Sequence, residues 1–144
     1  MKSLRYLKGI TILFLLTNGI FADAPNWDCD GDGVLDNYND YANNGSITAV
    51  VYNDAENIGT PGDMFAAFVA DDLRGVAQAT EVPPQLGGGY AFLMLAYSNE
   101  ASGETLNFKF YDFETDTVYD LFGEEEFVTD MTLGNVVSPE SYNI

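Results

Sequence analysis

The sequence predicts an all-β protein, an antiparallel β-sandwich of about seven or eight strands. Short apolar segments recur along residues 45–144 and are separated by loops rich in glycine and proline. The chain contains 10 Phe and 9 Tyr, which favours strands over disorder. Its 144 residues fit one ordinary domain, and a single Cys excludes an internal disulfide. The core must therefore hold by packing alone.

The predicted strands follow one another at short spacing. In chain order they cover residues 46–52, 64–69, 73–78, 90–97, 106–111, 118–122, 127–131 and 135–137. In the first, Ile47, Ala49 and Val51 share one face, as expected for a strand with one buried side. Segments 64–69 and 90–97 are apolar on both faces, which is typical of central strands. A helix over 90–97 is the alternative, but aromatic content and Gly-rich boundaries favour a strand.

The N-terminus has the order of a secretory signal peptide. Basic residues Lys2, Arg5 and Lys8 precede the apolar run 10–16, and the small-x-small sequence 22–24 follows. A membrane anchor is the alternative, but polar residues interrupt the run before the ~20 residues that a spanning helix needs. We therefore expect residues 1–24 to be cleaved, the protein to be secreted or at the cell surface, and no membrane span to remain.

The charge is strongly negative. There are 5 Lys and Arg against 23 Asp and Glu, a net charge of −18, and removal of residues 1–24 leaves Arg74 and Lys109 against 22 carboxylates, a net charge of −20. Nucleic acid is excluded as a likely partner class because phosphate binding requires many cations. The absence of His removes the usual general base and the commonest transition-metal ligand. Such a chain favours cation-rich surroundings.

Residues 28–40 carry a pattern that goes beyond charge. With Asp28 as position 1, carboxylates occupy positions 1, 3, 5 and 9, a glycine occupies the turn at position 6, and position 7 offers a backbone carbonyl. A hard cation takes six to eight oxygen ligands, and this spacing lets a short loop wrap around one. The alternative is a solvated acidic leader. The candidate ligands for calcium are Asp28, Asp30, Asp32, Val34, Asp36 and, at position 12, Asn39.

This loop resembles the calcium loops of thrombospondin type 3 repeats and dockerins, and more distantly the EF-hand. It departs at Asn39, where an EF-hand has a bidentate Glu, so the site loses charge and a ligand unless Asp40 or a group from the next domain substitutes. The resemblance implies an affinity near the ~10⁻⁴–10⁻³ M of extracellular modules. An EF-hand sensor changes the angle between two flanking helices when calcium binds, and too few residues flank this loop to form them. Calcium is therefore expected to be structural.

Residues 45–144 resemble a little-characterised extracellular module that occurs in secreted multidomain surface proteins. The segments that carry the similarity are 62–69, 73–77, 97–106 and 108–112. The resemblance implies a β-sandwich and an extracellular location, with no catalytic residues. The expected organisation is therefore a signal peptide at 1–24, a calcium-binding loop and linker at 25–44, and a β-sandwich domain at 45–144.

No constellation of residues predicts an enzyme. Adjacent acids at Asp71, Asp72 and 124–126 are typical of a solvated face, and Cys29 has no His partner. Arg74 is expected to pair with nearby acids. We predict a structural or adhesive calcium-binding module that contacts other extracellular proteins or itself. The alternative is a carbohydrate-binding module that stacks sugars on aromatic rings, for which the candidates are Trp27, Tyr38, Tyr41, Tyr52, Tyr90, Tyr97, Tyr111 and Tyr119.

Overall fold

A computed structural model describes residues 24–144 and confirms the all-β class. The predicted signal peptide lies almost wholly outside the described residues. Two 3-10 turns cover Tyr38–Asp40 and Pro84–Leu86, and no helix in the described range is long or apolar enough to cross a membrane. The strands are β1 Asn43–Asn53, β2 Glu56–Asn57, β3 Met64–Val69, β4 Asp72–Glu81, β5 Tyr90–Ser98, β6 Ser102–Asp112, β7 Thr117–Val128, β8 Thr132–Leu133 and β9 Glu140–Asn143.

The strands form a closed barrel, so the predicted sandwich is wrong. Seven strands follow one another in the order β1-β5-β4-β3-β6-β7-β9, and β9 pairs with β1 to close the ring. This closing pair is parallel, with Ala49 opposite Glu140 and Tyr52 opposite Asn143. The other ring pairs are antiparallel. Two strands explain the closure, because each joins what would otherwise be two sheets: β4 pairs with β3 up to Gln78 and then with β5, and β7 pairs with both β6 and β9.

The C-terminal strands also differ from the prediction. Residues 127–128 end β7, while the backbone N–H of Met131 donates to the carbonyl of Val128 across a turn. Residues 135–137 lie in a loop, and the flanking strands β8 and β9 both pair with β1 in parallel. Gly134 lies between them at φ 66°, where an added Cβ would come 2.6 Å from the carbonyl oxygen of Thr48. This close approach requires glycine and keeps the loop against β1.

The barrel interior is filled by aromatic and aliphatic side chains. The ring of Phe65 is fully buried, with centroids 5.2 Å from Phe108, 5.4 Å from Tyr142 and 5.8 Å from Phe92. The inward residues of β1 are those predicted from their alternation, and all three are fully buried. One core suffices for a chain of this size without disulfides.

A buried carboxylate fastens the loops at one end of the barrel. Asp63 is 1% exposed and accepts hydrogen bonds from the backbone N–H and hydroxyl of Thr60, at 2.7 and 3.1 Å, and from the N–H of Phe113 at 2.9 Å. Burial raises the pKa of Asp63 despite these donors. The side chain therefore joins the turn before β3 to the β6–β7 hairpin.

Candidate metal centre

Residues 25–42 run across the outside of the barrel, and we call this segment the acidic strap. Its tightest part folds around the carboxylate of Asp28, which accepts backbone N–H hydrogen bonds from Gly31, Asp32 and Gly33 at 2.9, 3.1 and 2.8 Å. The two glycines have φ of 76° and 77° and supply the left-handed turns. The strap is thus built by local hydrogen bonds, without a helix through its first ligand positions.

Three of the predicted ligands converge. Asp28, Asp30 and Asp36 each offer a carboxylate oxygen, and these oxygens all lie within 4.8 Å of one another. Both carboxylate oxygens of Asp36 also accept the backbone N–H of Cys29, at 3.3 Å. Three negative charges at this spacing repel one another unless a cation lies between them. Oxygen donors of this type suit a hard cation such as calcium.

The pKa values of the first two candidate ligands, Asp28 and Asp30, shift in opposite directions. Partial burial raises the pKa of Asp28, but hydrogen bonds from Gln78 and from the strap backbone outweigh it, and the net pKa is lowered. A backbone hydrogen bond from Asp32 lowers the pKa of Asp30. Desolvation and the neighbouring charges of Asp32, Asp36 and Asp28 raise this pKa by more, so the net shift is upward. The hydrogen bonds therefore favour an ionised Asp28, whereas crowding disfavours the charge on Asp30.

The other predicted ligands lie outside this group of three. The Asp32 carboxylate accepts the N–H of Val34 at 2.8 Å, and Val34 itself is half-buried. Asn39 lies in the exposed 3-10 turn after the loop. Asp40, the suggested substitute for the missing Glu, accepts a hydrogen bond from the Asn37 side chain at 3.3 Å. All six residues stay predictions as ligands, and Asp32, Val34 and Asn39 lack the convergence seen for the other three.

The barrel contributes a residue that sequence reasoning missed. Gln78 on β4 donates through Nε2 to the Asp28 carboxylate at 2.8 Å and to the Gly31 carbonyl at 2.9 Å. Gln78 lies 50 residues from Asp28 in sequence. A lone Gln in a strand carries no motif, so only the folded structure reveals this contact. The Gln78 hydrogen bond attaches Asp28, the first candidate ligand, to strand β4 of the barrel.

Apolar contacts hold the strap against the barrel near the cluster. Trp27 packs against the buried side chains of Met64, Val76 and Tyr111, and its ring meets Phe68 edge-on at 5.7 Å. Leu35, on the other side of the loop, is only 2% exposed. Burial of two such side chains is worth several kcal/mol. The loop is therefore docked rather than a solvated leader.

Tyrosines and an amide secure the far end of the strap. The rings of Tyr38 and Tyr41 lie 6.0 and 6.3 Å from Tyr97, at tilts of 37° and 33°. The side chain of Asn99 accepts the N–H of Ala42 at 3.0 Å and donates to a strap carbonyl at 3.2 Å. Tyr97 is buried, so this group of rings packs the strap and offers no flat, exposed platform of three. Carbohydrate binding stays a prediction.

Arg74 lies beneath this end of the strap and is the ion-pair partner expected from the sequence. Its guanidinium makes two hydrogen bonds to Glu104, at 2.7 and 3.0 Å, and one to Asp72 at 3.1 Å. Its carbon Cζ lies 5.1 Å from the ring centroid of Tyr41, within cation–π range. Hydrogen bonds from Arg74, and then from Ser98, lower the pKa of Glu104. The Arg74–Glu104 pair therefore contacts the strap through the Tyr41 ring.

Comparisons with protein-family models, with curated proteins and with solved structures found no match to this chain.

Proposed function

We propose that the protein is a secreted structural or adhesive module that binds calcium in the acidic strap and acts through contact with other proteins. One observation carries the proposal: the carboxylates of Asp28, Asp30 and Asp36 converge within 4.8 Å on a strap docked against the barrel. The order of basic, apolar and small residues in 2–24 supports export. Extracellular fluid is also where millimolar calcium would occupy a site of modest affinity.

Calcium acts here as a structural ion. The described strap contains one short 3-10 turn and no pair of helices whose angle a cation could change. Binding to the folded state alone stabilises it by RT ln(1 + [Ca]/Kd), so ~10 mM calcium at a ~0.1 mM site adds about 2.7 kcal/mol. Because the strap is docked, this stabilisation reaches the barrel. Neutralising three crowded carboxylates is the physical source of the gain.

The experiment compares two double variants of residues 25–144. Asp30→Asn with Asp36→Asn removes two charges from the cluster, whereas Asp71→Asn with Glu114→Gln removes two from exposed sites elsewhere. Titration calorimetry should show calcium binding in the wild type and the control, and its loss in the cluster variant. Magnesium and sodium chloride at matched ionic strength separate binding from screening. Equal binding by all three proteins would show that the cluster holds no calcium.

Export has a separate test. N-terminal sequencing of the protein recovered outside the cell should find a start near residue 23 or 25. An intact Met1 in a membrane fraction would contradict export with cleavage.

A further inference from the structure

The outer face of strands β1 and β5 carries two neighbouring concavities. The first, of about 310 Å³, has Val50, Val82 and Ala91 among its lining and lies between residues 86–89 and 136–139. The second, of about 280 Å³, lies over the same two strands farther along, at residues 46–48 and 93–95. Thr48 and Leu93 of the second lining are two residues from Val50 and Ala91 of the first, so the concavities adjoin on one face of these strands, here called the β1–β5 groove.

The β1–β5 groove is uncharged and partly apolar. No residue lining either concavity carries a charge, although 23 of the 144 residues are acidic. Four of the large apolar side chains exposed in the described range belong to it: Leu86 (44% exposed), Leu93 (49%), Leu95 (44%) and Val137 (71%). Contiguous exposed apolar surface on a soluble domain is typical of a protein contact. Covering these side chains with a partner removes apolar surface from water and is therefore favourable.

Charge restricts what can cover the groove. Residues 24–144 carry 22 carboxylates against two cations, so the uncharged groove belongs to a strongly negative protein. The two cations of the described chain are both engaged, Arg74 with Glu104 and Lys109 with Asp120. A second copy would therefore bring more negative charge and no free cation to the contact. The complementary partner is apolar at its centre and basic at its flanks.

We infer that the β1–β5 groove binds a segment of a partner protein that presents leucine- or valine-like side chains between lysines or arginines. The volumes of about 310 and 280 Å³ lie at and just below the lower end of the ~300–1,000 Å³ of small-ligand pockets, which suits individual side chains. The apolar floor supplies contact area, and the net negative charge of the protein supplies attraction for the basic flanks. The inference rests on the protein-contact part of the proposed function and uses no residue of the calcium cluster.

The test uses three short synthetic peptides on isotope-labelled protein observed by NMR. One peptide has leucines flanked by lysines, one has the same leucines flanked by glutamates, and one has serines flanked by lysines. Only the first should shift the signals of groove residues, and added salt should weaken but not abolish its binding. Equal binding of the lysine- and glutamate-flanked leucine peptides would overturn the charge argument. Equal binding of the serine peptide would overturn the apolar one.

Matched variants locate the contact. Val137→Ser and Leu86→Ser, both at exposed positions, should each weaken binding about five-fold, as expected from the loss of roughly 1 kcal/mol of apolar contact. Val118→Ser makes the same change at an exposed position of β7 outside the groove and should leave binding unchanged. Unaltered binding by both groove variants would refute the assignment. So would signal shifts that appear with protein concentration alone, which would make a second copy the occupant.

The calcium proposal and this inference fail separately. The titration is run with calcium and with EDTA, and binding in the groove should persist in both because the strap lines neither concavity. Peptide binding without calcium binding would overturn only the metal site. Calcium binding without peptide binding would overturn only the groove.

Discussion

Replacing Gln78 with methionine tests whether the barrel holds the calcium loop in shape. Methionine keeps a similar length but cannot donate to the Asp28 carboxylate or the Gly31 carbonyl, which now accept at 2.8 and 2.9 Å. A hydrogen bond to a charged group is worth ~1.5–3 kcal/mol and one to a neutral group about 1 kcal/mol. Because Gln78 is exposed and water replaces part of both bonds, we expect a net loss of about 1 kcal/mol.

That loss should appear as about a five-fold weaker calcium affinity in titration calorimetry. It should also lower the melting temperature by about 4 °C, since the strap is docked on the barrel. Trp27 is the only tryptophan of the chain and packs within the strap–barrel contact, so its emission reports docking directly. Its spectrum should shift toward the red in the variant without calcium and recover when calcium is added.

The matched control is Thr80→Val, an exposed position two residues along the same strand, whose hydroxyl donates to the Gln78 backbone carbonyl at 3.4 Å and not to the strap. It should bind calcium as the wild type does. Wild-type affinity together with an unchanged Trp27 spectrum in Gln78→Met would refute the reasoning, because the barrel would then play no part in shaping the loop.

Three further substitutions test the contacts that hold the strap and the barrel. Leu35→Ala should destabilise the protein by about 2–3 kcal/mol in urea unfolding, because it removes a buried side chain; an unchanged midpoint would mean that the strap opens at no cost. Asp63→Asn leaves one acceptor oxygen for three donors in partly buried hydrogen bonds and should cost about 1–3 kcal/mol, against a negligible change for the exposed Asp71→Asn. For Glu104, the hydrogen bonds from Arg74 hold the folded-state pKa below its usual value, so its contribution is present above the unfolded pKa and is lost as the pH falls through the folded one. The stability difference between wild type and Glu104→Gln should therefore be full at neutral pH and shrink below about pH 4; a constant difference would contradict the ion pair.

Local sequence was enough to predict most of the strands, although not those placed at 127–131 and 135–137. The alternation of Ile47, Ala49 and Val51, and the doubly apolar segments at 64–69 and 90–97, depend only on neighbouring residues and match β1, β3 and β5. The choice between sandwich and barrel cannot be made from neighbouring residues, because both architectures bury the same alternating face. It depends on which edges pair, and the parallel contact between β1 and β9 joins residues about 90 positions apart.

The candidate site divides in the same way. The spacing of Asp28, Asp30 and Asp36 predicted an oxygen cluster because a short loop brings nearby side chains together by local geometry alone. The docking of that loop, through Trp27 and Gln78, required the barrel wall and was decided only by the tertiary structure. The sequence by itself thus determined the strands, the acidic loop and the overall charge. Only the folded chain decided the barrel closure, the attachment of the strap and the uncharged groove, because each depends on contacts between residues far apart in the sequence.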